Sequence, residues 1–159
     1  MKKEKRMTLG GFILPLLFLV SASVGSFADM AEAAPPRVSW KQTQTSLVKS
    51  EAGEHLIKIR ITFTNNSTDE KVIIKLYDKI LKISGTIIDY TGDVTRLNNY
   101  IVKSSKVNDI DLWPGKTFNL TFSIPLKDVL KNKYQKSWNW RIKDIKVNSC
   151  DFKYATKSI

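Results

Sequence analysis

The chain has one cysteine, Cys150, and one histidine, His55, and each scarcity excludes something. A lone cysteine rules out an internal disulfide, so stability must come from a hydrophobic core. A lone histidine rules out a two-histidine metal site of the HExxH kind. No glycine-rich phosphate loop and no G-x-S-x-G elbow occurs. The 7 glycines and 5 prolines are few, and past residue 28 they punctuate patterned segments. There is no internal repeat, heptad array or low-complexity tract, and nothing calls for a metal or cofactor. A Cys150–His55 dyad is the one nucleophilic pair these residue types permit, and it needs the two side chains within hydrogen-bond reach. The expected placement is instead a surface histidine and a buried, inert cysteine.

The one strongly apolar run lies at the start. Lys2, Lys3, Lys5 and Arg6 precede Phe12–Val20, and small residues follow, with Ser26-Phe27-Ala28 placing small side chains where a signal peptidase needs them. This order predicts a cleaved secretory peptide over residues 1–28, with cleavage after Ala33 as the alternative. A retained membrane anchor is the competing reading, but Gly10, Gly11, Pro15 and the serines dilute the run below the ~20 apolar residues of a span. No cysteine follows it to carry a lipid, and no later run reaches spanning length, so no integral span is expected after cleavage. Residues 29–36, ending in Pro35-Pro36, read as an extended linker, and residues 37–159 as one domain.

What the chain has in excess is positive charge: Lys+Arg 26 against Asp+Glu 15. Residues 1–28 hold four of those cations and one acid, so the remainder keeps 22 against 14, a net charge of +8. Such an exported domain is drawn to polyanions, although solubility alone also accounts for the excess. Lysine-rich, cysteine-poor composition points to a Gram-positive bacterium, and the expected location is secreted or in the cell wall.

Past the linker the patterning is that of strands. Ile57, Ile59, Ile61 and Phe63 alternate with Lys58, Arg60, Thr62 and Thr64, and Phe118, Leu120, Phe122 and Ile124 alternate with Thr117, Asn119, Thr121 and Ser123. Period two with β-branched residues marks half-buried antiparallel strands. Arg37–Val48, Lys71–Asp78, Ile80–Tyr90 (broken near Ser84-Gly85), Asp109–Trp113 and Ser137–Tyr154 read as further strands, the last with a phase slip at Asp144-Ile145 that indicates a bulge. Thr95–Asn108 reads as a long loop with at most an edge strand. Leu126–Tyr134 is the one helical segment. Seven or eight short strands and one short helix near 126–134 predict an all-β fold, an immunoglobulin-like antiparallel sandwich, with a barrel as runner-up.

The carriers of a family resemblance are Phe63-Thr64-Asn65-Asn66-Ser67, Ile74-Lys75-Leu76-Tyr77-Asp78 and Leu112-Trp113-Pro114-Gly115-Lys116 ahead of the Phe118–Phe122 strand. From about Leu56 to Ile124 the chain resembles the bacterial extracytoplasmic sandwich module of FxLYD type, with Ile74 where that pattern has phenylalanine and a longer insertion before the Pro-Gly turn. The resemblance implies an envelope-exposed, non-catalytic module and transfers no catalytic residue.

Candidate binding residues concentrate near the C-terminus. Lys131, Lys133, Lys136, Arg141, Lys143 and Lys146 interleave with Tyr134, Trp138 and Trp140. Cations beside flat aromatic faces suit a cell-wall polyanion or acidic glycan, while no specific nucleic acid is expected. The competing reading is a core strand that buries both tryptophans and turns Asn139, Arg141 and Lys143 to water. Asp89, Asp93, Asp109 and Asp111 match no calcium loop and read as solvated turn residues. Three functions therefore stand: a non-catalytic polyanion-binding module, a carbohydrate-binding module using exposed tryptophan, and a secreted enzyme inhibitor presenting the Thr95–Asn108 loop.

Overall fold

The computed structural model describes residues 37–103 and 109–159. The expected leader and linker, and the end of the 95–108 segment, lie outside the described residues. The described chain is an all-β sandwich of two antiparallel sheets. Strands β1 (Val38–Lys49), β2 (His55–Asn65) and β6 (Thr117–Pro125) form one sheet in the order β1-β2-β6. The other is built on β3 (Glu70–Ile88), which pairs β7 (Arg141–Ser158) along most of its length. On its opposite edge β3 pairs β5 (Ile110–Leu112) through Val72–Ile74 and β4 (Val94–Lys103) through Lys79–Ile88.

Alternation explains the core. Ile57, Ile59, Ile61 and Phe63 of β2 and Val72, Ile74, Leu81, Ile83 and Ile87 of β3 are fully buried. A side-chain period of two sends Lys58 and Arg60 outward on one sheet and Lys82, Ser84, Thr86 and Ile88 outward on the other. Thr62 also points outward, yet it is buried: its hydroxyl bonds Asn119 Oδ1 at 2.6 Å and Thr43 Oγ1 at 3.2 Å, forming a polar row across three strands. Phe118 shares the inward face of its partner Phe63, but at the start of an edge strand it remains 39% exposed.

Three expectations are corrected. Lys71–Asp78 and Ile80–Tyr90 belong to one 19-residue strand, which absorbs Ser84-Gly85 with register shifts instead of breaking. Thr95–Lys103 is not a loop but the edge strand that reading allowed, at full length: Val94–Lys103 pairs β3 and lies at the edge of its sheet. The helix α1 is shorter than expected: Leu126–Leu130 is α-helical, and a 3₁₀ turn, Lys131–Lys133, follows where Lys131 takes φ +50°.

The phase slip expected at Asp144-Ile145 is present. Ser84 pairs Lys146 and Thr86 pairs Lys143, so β7 spends one extra residue there, with Asp144 at φ +53°. Gly85 (φ +153°) faces this bulge, where a Cβ would lie 2.8 Å from the Ile145 Cα. From the other sheet, the Gln42 amide donates to Ile145 O (2.9 Å) and accepts from Val147 N–H (2.8 Å). A side chain thereby satisfies backbone groups on the edge of β7 that have no neighbouring strand. At the opposite end, buried Asn65 ties two of the quoted motifs together. Its amide donates to Glu70 O and Leu112 O, while its backbone exchanges hydrogen bonds with Lys116 and Gly115 of the Trp113–Lys116 turn.

Candidate functional site

The register of β3 decides where the C-terminal cations go. Thr86 pairs both Arg96 of β4 and Lys143 of β7, and Ile88 pairs both Val94 and Arg141. Ser84 pairs Lys146, and Lys82 pairs Ile101 and Ser149. Residues directly opposite in antiparallel strands share a face. The outer face of this half of the sheet therefore gathers Lys82, Arg96, Arg141, Lys143 and Lys146, all exposed. None of the five makes an ion pair with a described residue.

The other half of the same face is also basic, but of its lysines Lys71, Lys75 and Lys153 are partnered, and only Lys157, on the Lys71 row, has no partner among the described residues. Lys71 bonds Asp111 at 2.6 Å and lies over the Trp113 ring; Lys75 lies 3.5 Å from Asp109; Lys153 sits over Tyr77. Asp109 and Asp111 thus neutralise lysines at one end, while Asp89 and Asp93 stand at the other, and no metal-binding cluster forms among the described residues.

Of the six cations expected to act together, only Arg141, Lys143 and Lys146 share this face. Lys133 lines a cleft at the end of the sheet. Lys136 folds over the β1–β2 turn, its Cε close to Gly53 and its charge near Glu54. Lys131 is exposed on the 3₁₀ turn. Arg96 and Lys82, which complete the patch, are far from this cluster in sequence.

The three aromatics also separate. Trp138 and Trp140 precede β7, so strand alternation does not apply to them. Trp140 is buried, donates its indole N–H to Gln135 O at 3.0 Å, and stacks on Tyr134 with centroids 6.0 Å apart. Tyr134 is itself engaged: its hydroxyl accepts from the His55 backbone N–H at 3.1 Å and meets His55 Nδ1 at 3.2 Å. Trp138 is half-buried, with the exposed Tyr90 edge-on at 4.7 Å and Trp140 at 5.7 Å. It lines, with Trp140, a cleft of about 450 Å³ whose other walls are Asp89, Asp93, Val94, Thr95, Asn132, Lys133 and Gln135.

Asp89 shapes that cleft. Its Oδ1 accepts from Thr91 N–H (2.8 Å), Thr91 Oγ1–H (2.6 Å) and Asp93 N–H (2.9 Å), pinning the β3–β4 connection. These bonds, the Thr91 hydroxyl first, hold its carboxyl below the ordinary range and keep it ionised.

His55 is buried rather than on the surface, a correction that follows from its engagement with Tyr134. Burial first, then the Lys49 charge, lowers its pKa. Cys150 is buried as expected, and burial together with Asp151 pushes its thiol up to about 12, the reverse of an activated nucleophile.

No family model matches the chain, and no curated protein matches it. A crystal structure of a protein designated ApaA, from Bordetella pertussis, aligns with 74% of this chain and 90% of its own at 11% identity and a TM-score of 0.30, too weak a likeness to bear on fold or function.

Proposed function

We propose that the chain is a secreted or envelope-associated, non-catalytic binding module that contacts an anionic polymer, a wall polyanion or acidic glycan, through the outer face of the β3–β4–β7 sheet. The observation that carries this reading is the five-cation patch Lys82, Arg96, Arg141, Lys143 and Lys146, three strands wide and without a neutralising acid on its register rows. Folding that gathers five like charges costs self-repulsion, which an anionic partner relieves. The sheet face suits a linear polymer, because repeating anionic groups can follow successive rows.

Two further observations favour binding over catalysis. His55 is committed to Tyr134, and Cys150 is held as the protonated thiol. The inhibitor reading loses its loop, since Val94–Lys103 is a paired strand and the rest of that segment lies outside the described residues. The resemblance to FxLYD-type envelope modules agrees with this proposal.

The test is retention of the purified chain on isolated Gram-positive wall at two salt concentrations. Exposed charges are screened within ~8–10 Å at physiological ionic strength, so retention should fall steeply as salt rises. Reversing Arg96, Arg141, Lys143 and Lys146 to glutamate should abolish it, while reversing Lys131 and Lys136 should change it little. Salt-insensitive retention, or equal loss in both variants, would overturn the proposal.

A further inference from the structure

The cleft beside the basic face differs from it in chemistry. Two of its walls are the carboxylates Asp89 and Asp93, against the single cation Lys133. An anionic group entering it meets acids, so the polymer's charges belong on the sheet face and not here. What the cleft offers instead is the half-buried indole of Trp138 among hydrogen-bonding groups. Asp89 and Asp93 supply strong acceptors, Asn132 and Gln135 carry both donor and acceptor amides, and Thr95 adds a hydroxyl.

The platform is held from behind. Trp140 is fixed through its indole N–H to Gln135 O and through its stack on Tyr134, which is bonded by His55. Tyr90 abuts Trp138 edge-on. The wall that carries Asp89 and Asp93 is likewise pinned by the three bonds on Asp89 Oδ1. A site preorganised in this way spends little binding energy on ordering itself. Its volume of about 450 Å³ falls within the roughly 300–1,000 Å³ of small-ligand sites.

We infer that this cleft is a saccharide-binding site, taking an uncharged sugar ring with its C–H face on Trp138 and its hydroxyls on Asp89, Asp93 and the Asn132 and Gln135 amides. A pyranose has the matching anatomy: an apolar face of axial C–H bonds and a rim of hydroxyls that donate to carboxylates. Hydrogen bonds to ionised acceptors are the stronger kind, so the two aspartates give the site its affinity and exclude acidic sugars. The inference stands apart from the polyanion proposal, because it involves none of the five cations of the sheet face.

The test follows the indole N–H signals of the ¹⁵N-labelled full chain during titration with cellotriose, maltotriose, mannotriose and chitotriose, with choline as a cationic control. At least one trisaccharide should move the Trp138 signal saturably and leave Trp40 and Trp113 unmoved. Asp93→Asn, at an exposed side chain outside the Asp89 Oδ1 bonds, should weaken that binding roughly tenfold, about 1.4 kcal/mol. Trp138→Phe, read through the Trp140 indole signal of the same cleft, should weaken it further, and reversal of Arg141 and Lys143 to glutamate should leave it unchanged. The inference is overturned if no trisaccharide moves Trp138, if choline alone does so, or if Asp93→Asn binds as tightly as the parent chain. Wall retention tested separately distinguishes failure of this site from failure of the basic face.

Discussion

The two halves of the β3 outer face share β3 and β7 and the same kinds of residue, yet they differ in their third strand and in how their charges are met. Near Lys71–Tyr77, lysines meet Asp109, Asp111, Trp113 and Tyr77. Near Lys82–Ile88, five cations stand together without an ion partner among the described residues. The half with partners borrows its acids from the short β5 region, while the other half faces β4, which brings Arg96. A surface whose charges were present only for solubility would have no reason to pair most of the cations at one end, Lys157 excepted, and none at the other. That contrast, more than the total charge, is the argument for a polyanion contact.

The largest expected effects lie beneath this face and should not distinguish its halves. Ile74 and Ile83 are both fully buried, one under each half. Replacing either by alanine should cost about 2–5 kcal/mol, as large-to-small core changes do, measured by urea unfolding. A far smaller cost at Ile83 would mean that the bulged half is loosely packed and that its surface rows are not fixed by the core.

Next in size is Gly85→Ala. The added Cβ would fall 2.5 Å from Ile145 Cδ1 and 2.8 Å from its Cα, at a backbone angle that L-residues rarely adopt. Overpacking of this kind costs about 1–3 kcal/mol. Because the bulge sets which residues of β7 face outward, the same variant should also weaken wall retention although it removes no charge. Lost stability with unchanged retention would show that the row alignment of Lys143 and Lys146 is not needed.

Smaller still in stability is the double change Asp109→Asn and Asp111→Asn. Exposed ion pairs contribute about 0–1 kcal/mol, so unfolding should move little. Lys71 and Lys75 would be freed, and the half with partners would come to resemble the bare one. Retention on wall at low salt should rise. If it stays the same, the difference between the halves has no bearing on binding.

How far this could be read from the sequence depends on distance along the chain. The alternation of Ile57–Phe63 fixes a core strand because every element of the signal is local. The slip at Asp144-Ile145 is visible for the same reason. Strand β4 escapes because Arg96, Asn98 and Asn99 dominate its composition, Asn99 sits at φ +51°, and two irregularities in its pairing with β3 break the period that Leu97 and Val102 would otherwise show. The patch escapes in part because proximity in sequence is a poor guide to a shared face. Lys136 lies between Lys133 and Arg141 in the chain but turns toward Glu54, while Arg96 joins Lys143 only through the row at Thr86. The cleft needs Tyr90 and Asp93, whose turn signal at Gly92-Asp93 is legible, but the contact of Tyr90 with Trp138 follows only from the β3–β7 register.

The smallest expected effect separates the two ends of the molecule by pH. His55 is buried against Tyr134, and desolvation, with Lys49 second, lowers its pKa from 6.5. The unfolded chain therefore binds this proton more readily than the folded one. The histidine's contribution should be constant above about pH 6.5, decline as pH falls through the window beneath it, and level off once the folded histidine is also protonated. Asp89 and Glu54, whose carboxyls are held low by the Thr91 hydroxyl and by Lys127 respectively, lose their contributions only as pH falls through and below the ordinary carboxylate values of 3.8 and 4.5, beneath the pH at which the histidine's decline begins. A protonated His55 can only donate at Nδ1, so its contact with the Tyr134 hydroxyl changes with its charge, and Tyr134 carries the stack on Trp140. Acidification to about pH 5.5 should accordingly lower amide protection, taken relative to the intrinsic exchange rate at the same pH, around residues 131–140 next to the cleft, and leave protection at the Asn65 knot at the other end unchanged. His55→Gln should remove the pH dependence in that window. An equal loss of protection at both ends, or a slope that survives His55→Gln, would show that the histidine does not govern the cleft end.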